Sequence, residues 1–243
     1  MTERWLARNP FELANISTPA DAKGSCVMLK EQHRMAPPIR ALVSGLFYQD
    51  TLTDGERVPK VGQILVVDTS DTPARATTRM VKLSHSKENL VHRHVIAEVI
   101  RAVRRKEPRA GVLVLSPFVA QKRALKREPN TSRLDNVRFE TIHTSQGSER
   151  EVVILDLVLT GGLRGGRSRM LDDRANPHLA NLLNVAASRA QRCLIVIGHC
   201  DFLRREYGAG LVGQLLQRSI GAGSYVKVPT DLRCAAVLDD AIR

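Results

Sequence analysis

Short, continuous apolar runs alternate along this chain with longer stretches of helical spacing. Cys26–Leu29, Ile64–Val67, Gly111–Leu115, Val137–Ile142 and Cys193–Ile197 are too short for helices and read as strands. Glu151–Leu159, which contains VVILDLVL, is the most strand-like of all. Between them, Pro37 and Pro38 open a helix carrying Ile39, Leu42, Val43 and Leu46; proline is tolerated there because a first-turn N–H has no helical partner. Ser86 is the expected cap of a helix running to about Lys106, with Val91, Val95, Val99 and Val103 on one face. Another helix follows Ser116-Pro117, and Asn176-Pro177 opens one that reaches about Gln191. Residues 50–62 and 160–176 are Gly-punctuated loops. Apolar strands alternating with helices predict an α/β fold, a parallel sheet sandwiched by helices. Ligands of such sheets bind beyond the carboxyl ends of the strands. Chemistry is therefore expected in the loops after Leu29, Leu115, Ile142 and Leu159.

Composition narrows the class. A chain of 243 residues with 43% hydrophobic content supplies the core of one large domain or two small ones. No run approaches the ~18 apolar residues of a membrane span, and MTERWLARNP does not resemble a signal peptide. Cys26, Cys193, Cys200 and Cys234 form no C-x-x-C pair, which argues against a zinc ribbon or a thioredoxin-type site. A reduced, cytoplasmic protein is expected. His92 and His94 stand two apart on a helix, point in different directions and make no metal pair; no metal site is expected in the chain itself.

Charge adds a candidate partner. The formal net charge is +12, and Arg outnumbers Lys 28 to 9. A guanidinium is a planar fork suited to phosphate, although a GC-rich genome produces the same bias. Aromatics make up only 4%, too few for base stacking to dominate.

The loops then supply candidate chemistry. KEQHRM holds Arg34, either a surface arginine or a phosphate contact. SPFVAQKRAL offers Ser116 and the amides of a helix start as an anion site, with Lys122 and Arg123 one turn further on; alternatively Ser116 is a cap and the cations are a solvated face. In HTSQGSERE, Gly147 permits a tight turn, while Gln146 and Glu149 suit a sugar hydroxyl or a positioned water. Arg189, in NVAASRAQRCLIVIGH, is either a cation complementing a helix end or a positioned arginine for a transferring phosphoryl group.

Taken in order, QHRM, SPFVAQ, TIHTSQGSE and NVAASRAQRCLIVIG resemble motif IV, the segment after it, motif V and motif VI of superfamily 1 helicases. They are most similar to the superfamily 1B branch around the nonsense-mediated-decay helicase (AAA_12-type), whose motif IV reads Q-Y-R-M before a Pro-containing helix ending in Phe-Tyr. Here Gln32-His33-Arg34-Met35 precedes Pro37, Pro38 and then Phe47-Tyr48. Two positions depart from that group: His143 and Ser145 stand where it has Asp and Phe, and the segment looks more like motif V of RecD-type helicases. The phosphate-cradling G-x-x-x-x-G-K-S/T, the strand ending in Asp-Glu and the G-D-x-x-Q-L of a first motor domain are absent.

The resemblance implies a RecA-like, P-loop-NTPase-type second motor domain lacking its own P-loop. Residues 1–25 would be a lead-in from the first motor domain, 26–230 the RecA-like domain and 231–243 a C-terminal tail. It implies ATP and Mg²⁺ bound jointly with a first RecA-like domain, in cis or in trans, and translocation on single-stranded DNA or RNA with duplex unwinding; no membrane partner is expected. Arg34 and Arg189 would be catalytic, at the γ-phosphate and as arginine finger. Gln32, Gln146, Gly147 and Glu149 would form the ATP side. Ser116, Pro117, Lys122, Thr141, His143, Arg164, Arg167 and Arg169 would contact nucleic acid. The chain alone is then expected to be inactive. Two other readings stay open: a non-catalytic nucleic-acid-binding or scaffold fragment, and the motor module of a nuclease-helicase.

Overall fold

A computed structural model of the chain describes residues 29–72, 79–80, 86–128, 134–145, 147–161 and 167–242. In chain order its elements are β1 (Glu31–Gln32), α1 (Pro37–Phe47), β2 (Thr53–Asp54), β3 (Gln63–Asp68), β4 (Arg79–Met80), β5 (Lys87–Glu88), α2 (Leu90–Lys106), β6 (Val112–Ser116), α3 (Val119–Arg127), β7 (Val137–Thr141), β8 (Arg150–Asp156), α4 (Leu179–Ala187), β9 (Ala190–Gly198), α5 (Cys200–Tyr207), α6 (Leu211–Ala222), β10 (Ser224–Lys227) and α7 (Ala235–Ala241). Six strands form one parallel sheet in the order β10-β3-β9-β8-β6-β7. Helices cover both faces, as the alternation of runs and helices predicts.

The continuous apolar runs have a direct cause. Side chains alternate across a strand, so a strand covered on both faces needs apolar residues at every position. In β3, Ile64 and Val66 enter one core while Leu65 and Val67 enter the other. In β8, Val153 and Leu155 oppose Val152 and Ile154 in the same way. The first core is closed by α1, α4, α5 and α6, through residues such as Ile39, Leu183, Phe202 and Leu215. The second is closed by α2, α3 and α7, through Val95, Val99, Leu125 and Leu238.

Several boundaries differ from the sequence expectation, each for a local reason. Of the first expected strand, Cys26–Met28 lie outside the described residues and Leu29 is 84% exposed. The strand there is the two-residue β1, which pairs only with β2, outside the main sheet. Helix α2 is capped by Asn89, whose side chain accepts from the Val91 and His92 amides, and not by Ser86. Strand β8 stops at Asp156, not Leu159, because the Asp156 carboxylate accepts from the Val158 amide and Val158 adopts φ +64°. Helix α4 starts at Leu179, since Asn176 Oδ1 takes the His178 amide in a turn first. Residues 231–242 carry α7, and Cys234, Leu238 and Ile242 are buried in the second core.

Candidate functional site

Helix α1 is tied to β9 at its first turn: the Ala36 amide donates to the Gln191 carbonyl (2.8 Å). That places the QHRM segment beside the amino-terminal edge of the sheet. Gln32 organises the segment. Its Oε1 accepts from the amides of Arg34 (2.9 Å) and Met35 (2.7 Å), and its Nε2 donates to Met35 O (2.8 Å) and Asp54 Oδ1 (2.7 Å). Gln32 therefore folds the loop that aims Arg34.

The Arg34 guanidinium donates through Nε to Glu149 Oε2 and through Nη1 to the Ser188 carbonyl (3.3 Å). Glu149 immediately precedes β8, and Ser188 is the C-cap of α4. The second Glu149 oxygen accepts from Gln191 Nε2 at 3.3 Å. Arg189 joins α4 to β9, and its carbonyl accepts the Arg150 amide (3.2 Å). Its side chain is 9% exposed, and Nε is buried without a hydrogen-bond partner among the described residues. Burial and the like charge of Arg34 lower the Arg189 pKa, while Glu149 and Glu140 partly restore it. Two guanidinium groups and the Glu149 carboxylate thus converge from positions far apart in sequence, with Glu140 close enough to act on Arg189. A buried fork with an unused donor is suited to an anion such as a phosphate. The Glu149 carboxylate is already engaged by Arg34 and Gln191, and the two cations beside it suit phosphate oxygens.

This cluster lies at the amino ends of β8 and β9, opposite to the end expected from strand polarity alone. The chain from Thr141 to Glu149 runs back from the carboxyl end of β7 to the start of β8. It begins with a 3₁₀ turn at Ile142–Thr144, closed by reciprocal Thr141 and Thr144 bonds, and turns at Gly147, whose φ of +84° is one that glycine adopts without strain. Gln146 lies outside the described residues.

The expected carboxyl-end residues form a second group. Ser116 and Thr141 are cross-strand partners at the ends of β6 and β7, and both are buried. Pro117 is buried, His143 is exposed and Lys122 is half-buried on α3. Ser116 is not the cap of α3. Its hydroxyl accepts the Phe118 amide (3.1 Å), Phe118 is the N-cap residue, and the Ala120 amide is taken by Ser86 Oγ (2.9 Å). These bonds occupy two of the amides an anion would have needed at that helix start. Arg167 pairs with Asp172 and lies over the Tyr207 ring, members of neither group. Arg169 is exposed in a 3₁₀ turn, and Arg164 lies outside the described residues.

Sequence reasoning passed over Gln191, Asp54 and one buried network. His92 Nδ1 contacts Asp156 Oδ1 (2.6 Å) and its Nε2 contacts Thr69 Oγ1 (3.0 Å). Gln121 Nε2 donates to Asp156 Oδ2 (2.6 Å) and its Oε1 accepts the Asn89 amide (2.8 Å). All five side chains are fully buried. The network locks α2 and α3 to the end of β8. A lone Asp within VVILDLVL was the available signal: a charge inside a buried strand requires polar partners.

Comparison with known proteins adds a family. A profile of the AAA_12 family, described as an AAA domain, matches residues 11–201. An uncharacterized ATP-dependent helicase of Caenorhabditis elegans is 28% identical over 78% of this chain and 12% of that protein. Helicase sen1 of Schizosaccharomyces pombe is 24% identical over 79% of this chain and 12% of that protein. The chain thus spans about an eighth of the length of these relatives. Among solved structures, the C-terminal domain of a possible DNA helicase from Lactobacillus plantarum WCFS1 aligns with TM-score 0.45 and 12% identity, over 80% of this chain and 98% of that one.

Proposed function

The chain belongs to the AAA_12 family of AAA domains, and on that premise we propose that it is the C-terminal, RecA-like motor domain of a superfamily 1 helicase, forms one wall of an ATP site and supplies the arginine finger. The observation that carries this reading is the meeting of Arg34 and Arg189 around Glu149, with the Arg189 Nε buried and unpartnered among the described residues. A first motor domain, in cis or in trans, brings the P-loop and the Mg²⁺ ligands. Arg34 exchanges Glu149 for the γ-phosphate, Glu149 is released toward the ribose, and Gln32 and Gly147 shape the two loops. Ser116, Pro117, Thr141 and His143, with Lys122 beside them, form part of the track for single-stranded nucleic acid. ATP turnover drives translocation and duplex unwinding.

Arg189 in the complete motor tests this. A finger meets charge that develops as the phosphoryl group departs, so its loss lowers turnover far more than ATP binding. Fingers are worth about 10³–10⁵ in rate. A helix-end cation is worth only about 0.3–1 kcal/mol of stability. Lysine satisfies a helix end but lacks the planar fork. Arg189→Lys is therefore expected to melt normally, bind ATP and turn over about a thousandfold more slowly, the low side of the finger range. Near-normal steady-state turnover in that variant assigns Arg189 to helix termination instead.

A further inference from the structure

Helix α3 packs one face inward and leaves the other strongly charged. Ala120, Gln121, Ala124 and Leu125 are buried. Arg123, Lys126 and Arg127 are exposed and Lys122 is half-buried. Positions 122, 123, 126 and 127 occupy one side of the helix, so Lys122/Lys126 and Arg123/Arg127 are like-charge pairs one turn apart. Such pairs destabilise a helix. α3 holds no acidic residue to offset them, and among the described residues no hydrogen bond or ion pair engages any of the four side chains. The helix cannot rotate to disperse them. Its first turn is held by Ser86, and Gln121 is locked into the buried Asp156–Asn89 network.

We propose that the outer face of α3 grips the phosphate backbone of the duplex arm of a forked nucleic acid as it leaves the single-strand track. The proposal rests on reading the chain as a helicase motor domain. Charge complementarity identifies the occupant: a fixed, purely cationic ridge fits a polyanion. α3 carries no aromatic residue, so its outer face offers contacts to backbone phosphate and none by stacking on bases, and a duplex presents its backbone outermost. Location agrees. α3 follows directly on Ser116 and Pro117, at the carboxyl edge of the sheet. From Lys122 to Arg127 the helix rises about 7.5 Å at ~1.5 Å per residue, the axial length of about two nucleotides of one duplex strand at ~3.4 Å each.

The test uses the complete motor carrying Arg123→Glu, Lys126→Glu and Arg127→Glu together, with a Gln triple variant as a milder counterpart and a thermal melt for both. Binding to a forked duplex and to a single strand just long enough to fill the track is measured across a salt series. Each duplex phosphate neutralised adds about 0.9 to the log–log salt slope. The Glu variant is expected to lose about two to three of those contributions and, at low salt, at least ~10-fold in fork affinity. The Gln variant should lose less. Short-strand affinity and strand-stimulated ATP turnover should stay near wild type. Unchanged fork affinity and slope, with normal strand-stimulated turnover, overturn the duplex ridge and leave the motor reading intact. An equal loss on the short strand also overturns it, by assigning the cations to the track. A wild-type motor whose turnover ignores single strands overturns the motor reading, and the ridge with it.

Discussion

At the scale of single residues, the unpartnered Arg189 Nε stands against buried groups that are fully engaged, and Asp68 shows how such engagement works. It ends β3 and is fully buried. Oδ1 accepts from the Ser70 amide (2.9 Å), the Ser70 hydroxyl (2.6 Å) and the Cys200 amide (2.9 Å), and Oδ2 accepts from the Tyr225 hydroxyl. Burial pushes its pKa up, but the bonds from Ser70, Tyr225 and Cys200 outweigh burial and hold it below the ordinary 3.8. A depressed folded-state pKa means that the carboxylate contributes its stability above 3.8 and loses it as pH falls through the folded value. Asp68→Asn keeps the shape but not the charge. It is expected to cost about 1–3 kcal/mol at neutral pH, with the gap to wild type closing in acid. Urea melts at neutral pH and below pH 3.8 check this; a gap that persists unchanged at low pH would show that packing, not the charge, is what Asn disturbs. The thiols show the opposite balance. Burial raises Cys193 to about 12 and Cys234 to about 11 and also pushes Cys200 up, so in the folded protein these three are inert thiols.

At the scale of elements, the last helix is the informative one. Residues 235–241 are too few to be stable as an isolated helix. α7 is held by packing: it contacts α2, Arg105 pairs with Asp239, Leu238 is fully buried, and the Ala241 carbonyl accepts from the Gln63 side chain on β3. Leu238→Ala removes side-chain volume from the second core and is expected to destabilise by about 2–5 kcal/mol, seen as a lower denaturant midpoint with an unchanged slope. A much smaller loss would mean that α7 is dispensable to that core. Helix α1 depends on its neighbours in a similar way. Its proline start fixes only where it begins, while the Ala36 amide on the Gln191 carbonyl fixes where it sits.

At the scale of the whole molecule, the two proposed surfaces lie at opposite ends of the parallel sheet. Arg34, Glu149 and Arg189 are at the amino ends of β8 and β9, and Ser116 and Thr141 are at the carboxyl ends of β6 and β7. The segment from Thr141 to Glu149 connects them in sequence. Phosphoryl transfer needs the P-loop, the metal and the finger together. The isolated chain is therefore expected to bind single strands weakly, in a manner that weakens steeply with salt, and to hydrolyse no ATP above background. Nucleic-acid-stimulated turnover by the purified chain alone would overturn the division of labour between two motor domains.

The apolar runs marked five of the six strands of the main sheet, because a strand buried on both faces needs residues such as Ile64–Val67 or Leu194–Ile197 without interruption, whereas the half-exposed edge strand β10 carries no such run. The order of QHRM, SPFVAQ, TIHTSQGSE and NVAASRAQRCLIVIG sufficed for the family, and Pro37 for the start of α1. Three things needed the tertiary structure. Arg34 and Glu149 are 115 residues apart, and no local pattern encodes a contact made by bringing two strand starts together. The end of the sheet at which they meet depends on the path from Thr141 back to Glu149, which strand polarity does not specify. His92, Gln121, Asn89 and Asp156 satisfy one another only after α2 and α3 pack on the sheet. Periodicity reports which face of an element is apolar; it carries no information about which polar group, on which distant element, will be there to meet a buried one.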